Sequence, residues 1–551
     1  MFVRVKTTPN SPRKAVQLVE SVRAGKTVRQ RIVRHIGIAL DGDELVRLKD
    51  LAEVVKAKLA ADTQPQLFPP EDVAEQLIAA RSRRDDAPLK VDLKQLIETQ
   101  RLTSGIHAVY GAVYEALGLS RLLPAWRYRA SHKALFHNVM ARLANPDSKR
   151  ASVRALAADF GVQVSLPQVY RMMDLLDADR IERLNALAGQ QAKALLGGTL
   201  RVLFFDCTTL YFESFTEDAL KQPGYSKDAK FKECQVLLAL AVTETGLPVR
   251  YTVLPGATFE GHSLIPVVQA LQAASEAEDA VVVADRGMLS EANLNALEAA
   301  GLHYIVGARL KSLPQSLQTQ ALDASGYETL KDGDGARVRE LTHNTRRLVV
   351  GFSPVRAEKD RRDRDKALDK LRKKLAKSDN PKDLLSNRGY QQYLRIEGQS
   401  TLRVNPDKIA QAQRWDGLHG VITNLPKATK TATILDQYRG LWQVEDTFRV
   451  SKHDLKVRPI YHWTPRRIRA HIAIAFMSLL CVRHLQYRMT LQARPVSPEV
   501  IRNALVHVQH SVLEHKQTNR RYVIPSAISE TGRQLYKAMG LTHSTTPYEL
   551  K

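Results

Sequence analysis

Two aspartates follow strongly apolar runs, Asp206 after TLRVLFF (199–205) and Asp285 after AVVVA (280–284). A carboxylate delivered by the apolar end of a buried strand is costly unless its charge is compensated. If the two strand ends are neighbours in one sheet, each carboxylate raises the pKa of the other unless cations sit between them. Mg²⁺, for which Mn²⁺ can substitute, meets that need with hard oxygen ligands in near-octahedral geometry. A third carboxylate would complete two ion sites about 3.5–4 Å apart, a geometry suited to in-line displacement at phosphorus. The candidate is Glu445, in ILDQYRGLWQVEDTFRVSKHDLK (434–456), where Leu441, Val444 and Phe448 have helical spacing. Read as one helix, the segment puts Tyr438, Glu445 and Lys452 on a shared face. Lys452 is then placed to hold a phosphate as a point charge. Taken singly, each carboxylate reads as a surface acid or a capped strand end; the combination in this order points to a metal site.

The elements that must position these groups follow the order strand, strand, strand, helix, strand, helix, strand. The strands are 199–212, 234–244, 248–256, 280–287 and 303–309, and the helices 262–278 and about 289–300. That order predicts the first part of an α/β ribonuclease-H-like core over 199–309. A doubly wound nucleotide-binding sheet would need helices between the first strands and a Gly-rich phosphate loop, and neither is written here. Residues 431–484 supply the last helices of the core.

Between them, residues 310–430 read as a β-rich, mixed insertion. It has strand-like segments at 337–353 and 417–425 and a highly charged helix, PVRAEKDRRDRDKALDKLRKKLAKSD (354–379), whose charges read as a solvated face laced by ion pairs. Residues 1–70 form an N-terminal β unit and linker, with FVRV and TVRQRIVRHIGIA alternating basic and apolar residues. Polar stretches at 62–72 and 81–88 separate it from a helical, DNA-binding region at 89–195. Within that region, 148–176 reads as a helix-turn-helix: Val153, Leu156 and Phe160 line the first helix, Gly161 makes the turn, and Ser165-Leu166-Pro167 open a second helix carrying Gln168, Tyr170 and Arg171. Gln168 and Arg171 are its candidate base-reading residues. Residues 485–551 trail as a basic C-terminal region.

Lysine and arginine outnumber aspartate and glutamate by 82 to 58 over 551 residues, a net charge of +24 that favours DNA or RNA as partner over a membrane surface. Cys207, Cys234 and Cys481 form no CxxC pair, which fits a reducing, cytoplasmic setting. The start lacks a signal-peptide core, and IAIAFMSLLCV (472–482) is too short to span a bilayer, so it reads as a buried helix.

With these residues in place, the chain resembles the DDE transposases of bacterial insertion sequences, in the 1634-type branch of the insertion-sequence-four family. The resemblance rests on Asp206 and Asp285 after the first and fourth strands, and on a late helix with Tyr438, Glu445 seven residues on and Lys452 fourteen on. GYSKD (224–228), LPVRYTVLPGATFEGHSL (247–264), ADRG (284–287), DGLHGVITN (416–424) and RPIYHWTPRRIRAHIAIAFMSLL (458–480) add to it, and it covers most of the chain from residue 100 onward. It implies cut-and-paste transposition of a mobile element. Water attacks the phosphodiester at each transposon end, and the freed 3′-hydroxyl attacks target DNA. It implies two Mg²⁺ ions (or Mn²⁺) on Asp206, Asp285 and Glu445. Its partners would be double-stranded DNA, at terminal inverted repeats and target, and a second copy of the chain in the synaptic complex. Relatives excise through a DNA hairpin and use the insertion to hold a flipped base, for which Trp415 is a stacking candidate beside its ordinary reading as core. Tyr438, Lys452, Arg286 and Arg449 are the implied DNA contacts near the metals. Two positions depart from the family: Leu441 stands where the signature has arginine, and Ala257 where asparagine is frequent. On an unbroken helix Arg449, four residues beyond Glu445, lies about 40° from it and is the natural substitute, whereas Arg439 lies about 120° away. A non-cleaving DNA-binding protein and a nuclease without strand transfer remain the alternatives.

Overall fold

The computed structural model describes residues 2–7, 14–24, 27–39, 42–61, 89–213, 216–224, 233–273, 280–330, 335–377, 388–397, 401–492 and 494–550. The polar stretches at 62–72 and 81–88, and residues 225–228 of GYSKD, lie outside them. The chain divides into two compact units, 1–180 with 473–551, and 181–472.

The second unit is built on one nine-stranded sheet. Its strands are β1 (Val202–Tyr211), β2 (Gln235–Thr243), β3 (Pro248–Pro255), β4 (Val281–Ala284), β5 (His303–Gly307), β6 (Glu328–Thr329), β7 (Arg337–His343), β8 (Arg346–Phe352) and β9 (Leu418–Thr423). They lie in the order β6-β7-β8-β9-β5-β4-β1-β2-β3. The first three pair antiparallel, and β4 and β5 run parallel to β1. Every residue of β2 is buried, so this strand carries no polar alternation. Helices Leu264–Ala273 and Glu291–Ala299 pack on β3 and β5, and helices Thr431–Arg439 and Trp442–Arg449 pack on β4, β5 and β1, β2. This mixed sheet with its helices is consistent with the expected ribonuclease-H-like core.

The segment expected to be a separate insertion is not one throughout. Strands β6 to β9 continue the core sheet, β9 pairing antiparallel with β5 from Thr423↔Ile305 to Val421↔Gly307. Asn424 accepts from Tyr304 N–H, and Arg346 on β8 reaches Glu298 (2.7 Å) and Glu291 (2.6 Å) on the core helix. Only the part between β8 and β9 stands apart. It holds helix Pro354–Lys377, the hairpin Leu394–Glu397/Thr401–Val404 and helix Pro406–Gln413, around a small core of Leu368, Leu371, Tyr393 and Leu394. The charged helix has the expected ion pairs, among them Arg361–Glu358 and Arg372–Asp369.

In the first unit, the N-terminal β unit has three antiparallel strands, Phe2–Thr7, Lys14–Ala24 and Thr27–Ala39, followed by helix Gly42–Ala61. The helix-turn-helix forms as read, Lys149–Phe160 and Leu166–Leu175 flanking Gly161 (φ 65°), both packed on helix Ala125–Ala144. The expectation of a wholly helical 89–195 is corrected at Leu96–Thr103, which is a strand. It pairs with Gln509–His515 in a four-stranded sheet completed by Arg521–Pro525 and Tyr548–Leu550. The C-terminal region is therefore folded rather than trailing. Leu96–Thr103 and its partner lie more than four hundred residues apart, a pairing that no local pattern carries.

The apolar run at 472–482 belongs to a longer helix than expected, Pro465–Gln492. By length and composition that helix could cross a membrane, and 89 % of its most apolar window is buried within the protein.

Candidate active site

Asp206 is not at the end of its strand. It is the fifth of ten residues of β1, because β1 runs on beside β2, with Cys207↔Ala239 through Tyr211↔Gln235 in register. What ends at Asp206 is the parallel pairing with β4, whose last registered pair is Phe205↔Ala284. Asp285 follows Ala284 directly, so the two aspartates lie side by side across β1 and β4. Asp206 accepts from the Cys207 N–H (2.7 Å). Asp285 caps the turn Arg286–Met288, accepting from the Arg286 N–H (2.6 Å). One strand further, Ala284↔Val306 brings Gly307 into the same row.

The late segment is not one helix. It breaks after Arg439 at Gly440 and Leu441, resumes over Trp442–Arg449, and widens into a π-helical turn at Val450–Asp454. At the break only glycine fits: a Cβ on Gly440 would collide with the ring of Phe204, two residues before Asp206 on the same face of β1. Tyr438, ahead of the break, lays its hydroxyl against Gly307, where a Cβ would meet it, close to the Asp285 charge. Burial, then the Asp285 charge, push the Tyr438 phenol up to about 12, against Arg356 and Arg286.

Asp285, Arg286, Tyr438, Arg439, Leu441 and Glu445 line one cleft of about 1930 Å³. Glu445 is exposed into it, one turn beyond the buried Leu441. Asp206, Lys452 and Arg449 are not among the lining residues. The shared face expected for Tyr438, Glu445 and Lys452 therefore holds for the first two. The break and the π turn change the angular register on either side of Glu445, so counting 100° per residue misplaces Lys452.

The expectation for the arginines is reversed, although Glu445 and Arg449 share one helix. Arg439 lines the cleft, paired with Asp436 (2.6 Å). Arg449 is held outside it by Asp446 (2.7 Å) and Asp454 (3.6 Å). In the first unit, Gln168 spends its side-chain oxygen on a capping box, accepting from the Ser165 N–H (2.8 Å), while Arg171 is exposed. A bidentate contact from Gln168 to a base would cost that cap. Trp415 is half-buried and lines the cleft, rather than filling a core.

Sequence reasoning missed two contributors on the cleft wall, Arg309, whose Nε donates to the Arg286 carbonyl (3.2 Å), and Arg356, and the buried Gly307 against which Tyr438 rests. The glycine and arginine ending HYIVGAR were the available signal. The donor set of Asp206, Asp285 and Glu445 suits a hard divalent ion. Among the described residues no three His, Cys, Asp or Glu side chains stand close enough to hold one as arranged.

Residues 197–481, a little over half of the chain, match the family described as Transposase DDE domain, and residues 2–66 match the IS1634 family transposase N-terminal domain. No curated protein matches the chain. Among solved structures, a piggyBac transposase synaptic complex with hairpin DNA is similar at TM-score 0.36 and 10% identity, over 68% of this chain and 70% of that one. A Mos1 transposase paired-end complex with the left transposon end is similar at 0.14 and 11%, over 46% and 76%. A Mos1 mariner paired-end complex with Mn gives 0.14 and 11%, over 48% and 78%. At these scores the structural likenesses carry no argument. The two family matches do, and the chain belongs to the DDE transposases of the IS1634 family, enzymes of cut-and-paste DNA transposition.

Proposed function

We propose that Asp206, Asp285 and Glu445 are the metal ligands and catalytic residues of this transposase, holding two Mg²⁺ ions that Mn²⁺ can replace. Membership of the family implies dependence on a divalent metal. The observation that carries the residue assignment is the pairing of Asp206 with Asp285 at the end of the β1–β4 register, beside a cleft that Asp285 and Glu445 share. When bound, such ions supply Lewis-acid activation of water and clamp the attacking and leaving oxygens. The chain's own groups do the rest. Tyr438, beside Asp285, orients that carboxylate, and its own proton stays in place at neutral pH. Arg286 and Arg439 face the cleft as cations, placed to hold the phosphates beside the scissile bond. Duplex DNA, at transposon ends and target, is the substrate, and a second copy of the chain completes the synaptic complex in the cytoplasm.

The test is a paired assay for end cleavage and for joining of the cut 3′ end to target DNA, with Mg²⁺ or Mn²⁺. Wild type should do both. Asp206→Asn, Asp285→Asn and Glu445→Gln should each lose both while still binding DNA. A variant that cleaved within about tenfold of wild type would remove that residue from the site. Cleavage without joining would leave a nuclease, and binding alone a non-cleaving DNA-binding protein.

A further inference from the structure

The outer wall of the cleft is used neither by the carboxylates nor by the late helix. It is formed by the helix Pro354–Lys377, which presents Arg356, Lys359, Arg362, Lys366 and Lys370 to the cleft. The N-terminal end of this helix is the one near the carboxylates, since the Arg356 charge acts on Tyr438. From there the helix leads away along the cleft.

Lys359, Lys366 and Lys370 form a row. At 100° per residue they fall within an arc of about 40°, and at 1.5 Å per residue they span about 16 Å. All three are exposed, and among the described residues none makes a hydrogen bond or ion pair. The helix itself is fixed from its other side. Buried Arg364 forms a two-pronged bond to Asp416 (2.5 and 2.6 Å), and Asp360 accepts from the Gly417 N–H (3.0 Å). Leu368 and Leu371 sit in the small core beneath. A rigid helix thus holds three unengaged ammonium groups over the cleft.

The charge balance selects the occupant. Ten basic and five acidic residues line the cleft. Of the acidic ones, Asp285 and Glu445 belong to the proposed metal site, while Asp416 and Asp360 are engaged as above, leaving Asp363 as the remaining carboxylate on the helix. A linear array of point charges about 16 Å long matches the rise of about five phosphates on one strand of duplex DNA.

We propose that Lys359, Lys366 and Lys370 form a phosphate track that grips one DNA backbone strand on its way out of the carboxylate site. The proposal rests on the transposase reading of that site.

The experiment measures equilibrium binding of a short random-sequence duplex by fluorescence anisotropy, from about 50 to 200 mM salt. It compares wild type, the triple variant Lys359→Gln/Lys366→Gln/Lys370→Gln, and a control on the opposite, outer face, Arg361→Gln/Arg372→Gln. Each phosphate that is no longer neutralised by the protein lowers the slope of log K against log salt by about 0.9. The triple variant should lose between two and three from that slope, and the control less than about one-half. Circular dichroism checks that both variants fold. In hydroxyl-radical footprinting, the triple variant should lose protection on one strand beside the cleavage point while protection at that point persists. An unchanged slope in the triple variant overturns the track, as does an equal loss per charge in the control. Cleavage and joining by wild type are read separately. If wild type joins DNA but the slope is unchanged, the track fails alone. If the slope falls but wild type neither cuts nor joins, the transposase reading of the site fails and the track stands.

Discussion

Tyr438 sets its hydroxyl beside the Asp285 charge, in a position that only the bare Cα of Gly307 leaves open. A phenol O–H placed there can hold the carboxylate by a charge-assisted bond and fix which of its oxygens face the cleft. Tyr438→Phe should slow single-turnover cleavage by roughly tenfold, and Gly307→Ala by at least as much, since its methyl displaces the hydroxyl. In the Tyr438→Phe background the alanine should cost less, because the colliding oxygen is gone. With the phenol pushed up to about 12, it keeps its proton through neutral and mildly alkaline pH. The pH–rate profile of Tyr438→Phe should therefore keep the wild-type shape below about pH 10; a lost alkaline limb would mean that the phenol transfers a proton.

The side-by-side placement of Asp206 and Asp285 predicts a stability effect with an unusual sign. Two carboxylates at one place repel when no cation lies between them. In EDTA, Asp285→Asn should melt higher than wild type. Millimolar Mg²⁺ or Mn²⁺ should raise the wild-type melting temperature and leave that of Asp285→Asn nearly unchanged. Differential scanning fluorimetry on both proteins reads this directly, and equal metal-induced shifts would place the ions elsewhere.

The strands that carry the carboxylates are legible in the sequence because each is a short apolar run with an acid at a definite place, and their order alone suggests the sheet. Two things are not legible. The continuation of the core sheet by β6 to β9 depends on pairings such as Val421↔Gly307, more than a hundred residues apart, where local alternation names no partner. The need for glycine at the 440 break depends on the Phe204 ring from another strand. A periodic sequence across 434–456 looks like one helix; the turn at Gly440 shifts Arg439, the π turn shifts Lys452, and Arg449 is drawn aside by Asp446 and Asp454. The charged helix is half legible: its exposed ion pairs follow from i, i+3 spacing, but nothing in the sequence tells which side faces a cleft.

The first unit carries a pair of histidines whose titration should be visible. His107 Nε2 and His137 Nδ1 lie 3.0 Å apart, against the rings of Phe136 and Phe160. Burial foremost pushes both down to about 4, aided for His107 by the His137 charge and for His137 by Lys133 and His132. A histidine depressed in the folded state contributes stability that is complete above its unfolded value near 6.5 and is lost as pH falls toward 4. Since both rings keep some solvent access, the pair should cost roughly 1–2 kcal/mol over that window. Urea melts of wild type and His137→Gln at about pH 7 and about pH 4.5 should show a smaller acid loss in the variant. Parallel losses would mean that the pair is already charged in the native state.

Arg439 and Arg449 offer the sharpest kinetic contrast. The family signature puts a guanidinium one turn before the glutamate, and here Leu441 fills that place, buried at the edge of the cleft. Counting along an unbroken helix favours Arg449 as replacement. The kink at Gly440 instead leaves Arg439 on the cleft wall, while Arg449 is tied to Asp446 and Asp454 outside it. Arg439 must give up only one exposed pair, with Asp436, to reach a phosphate, and exposed pairs are worth about 1 kcal/mol or less. A charge-assisted phosphate contact returns roughly 1.5–3 kcal/mol. Arg439→Ala should therefore slow single-turnover cleavage on preassembled ends by about tenfold to a hundredfold. Arg449→Ala should cut at close to the wild-type rate, with at most a small fall in melting temperature. Should Arg449→Ala prove the slower enzyme, Arg449 must leave Asp446 and Asp454 when DNA binds, and the face counted from Glu445 would apply to the bound state.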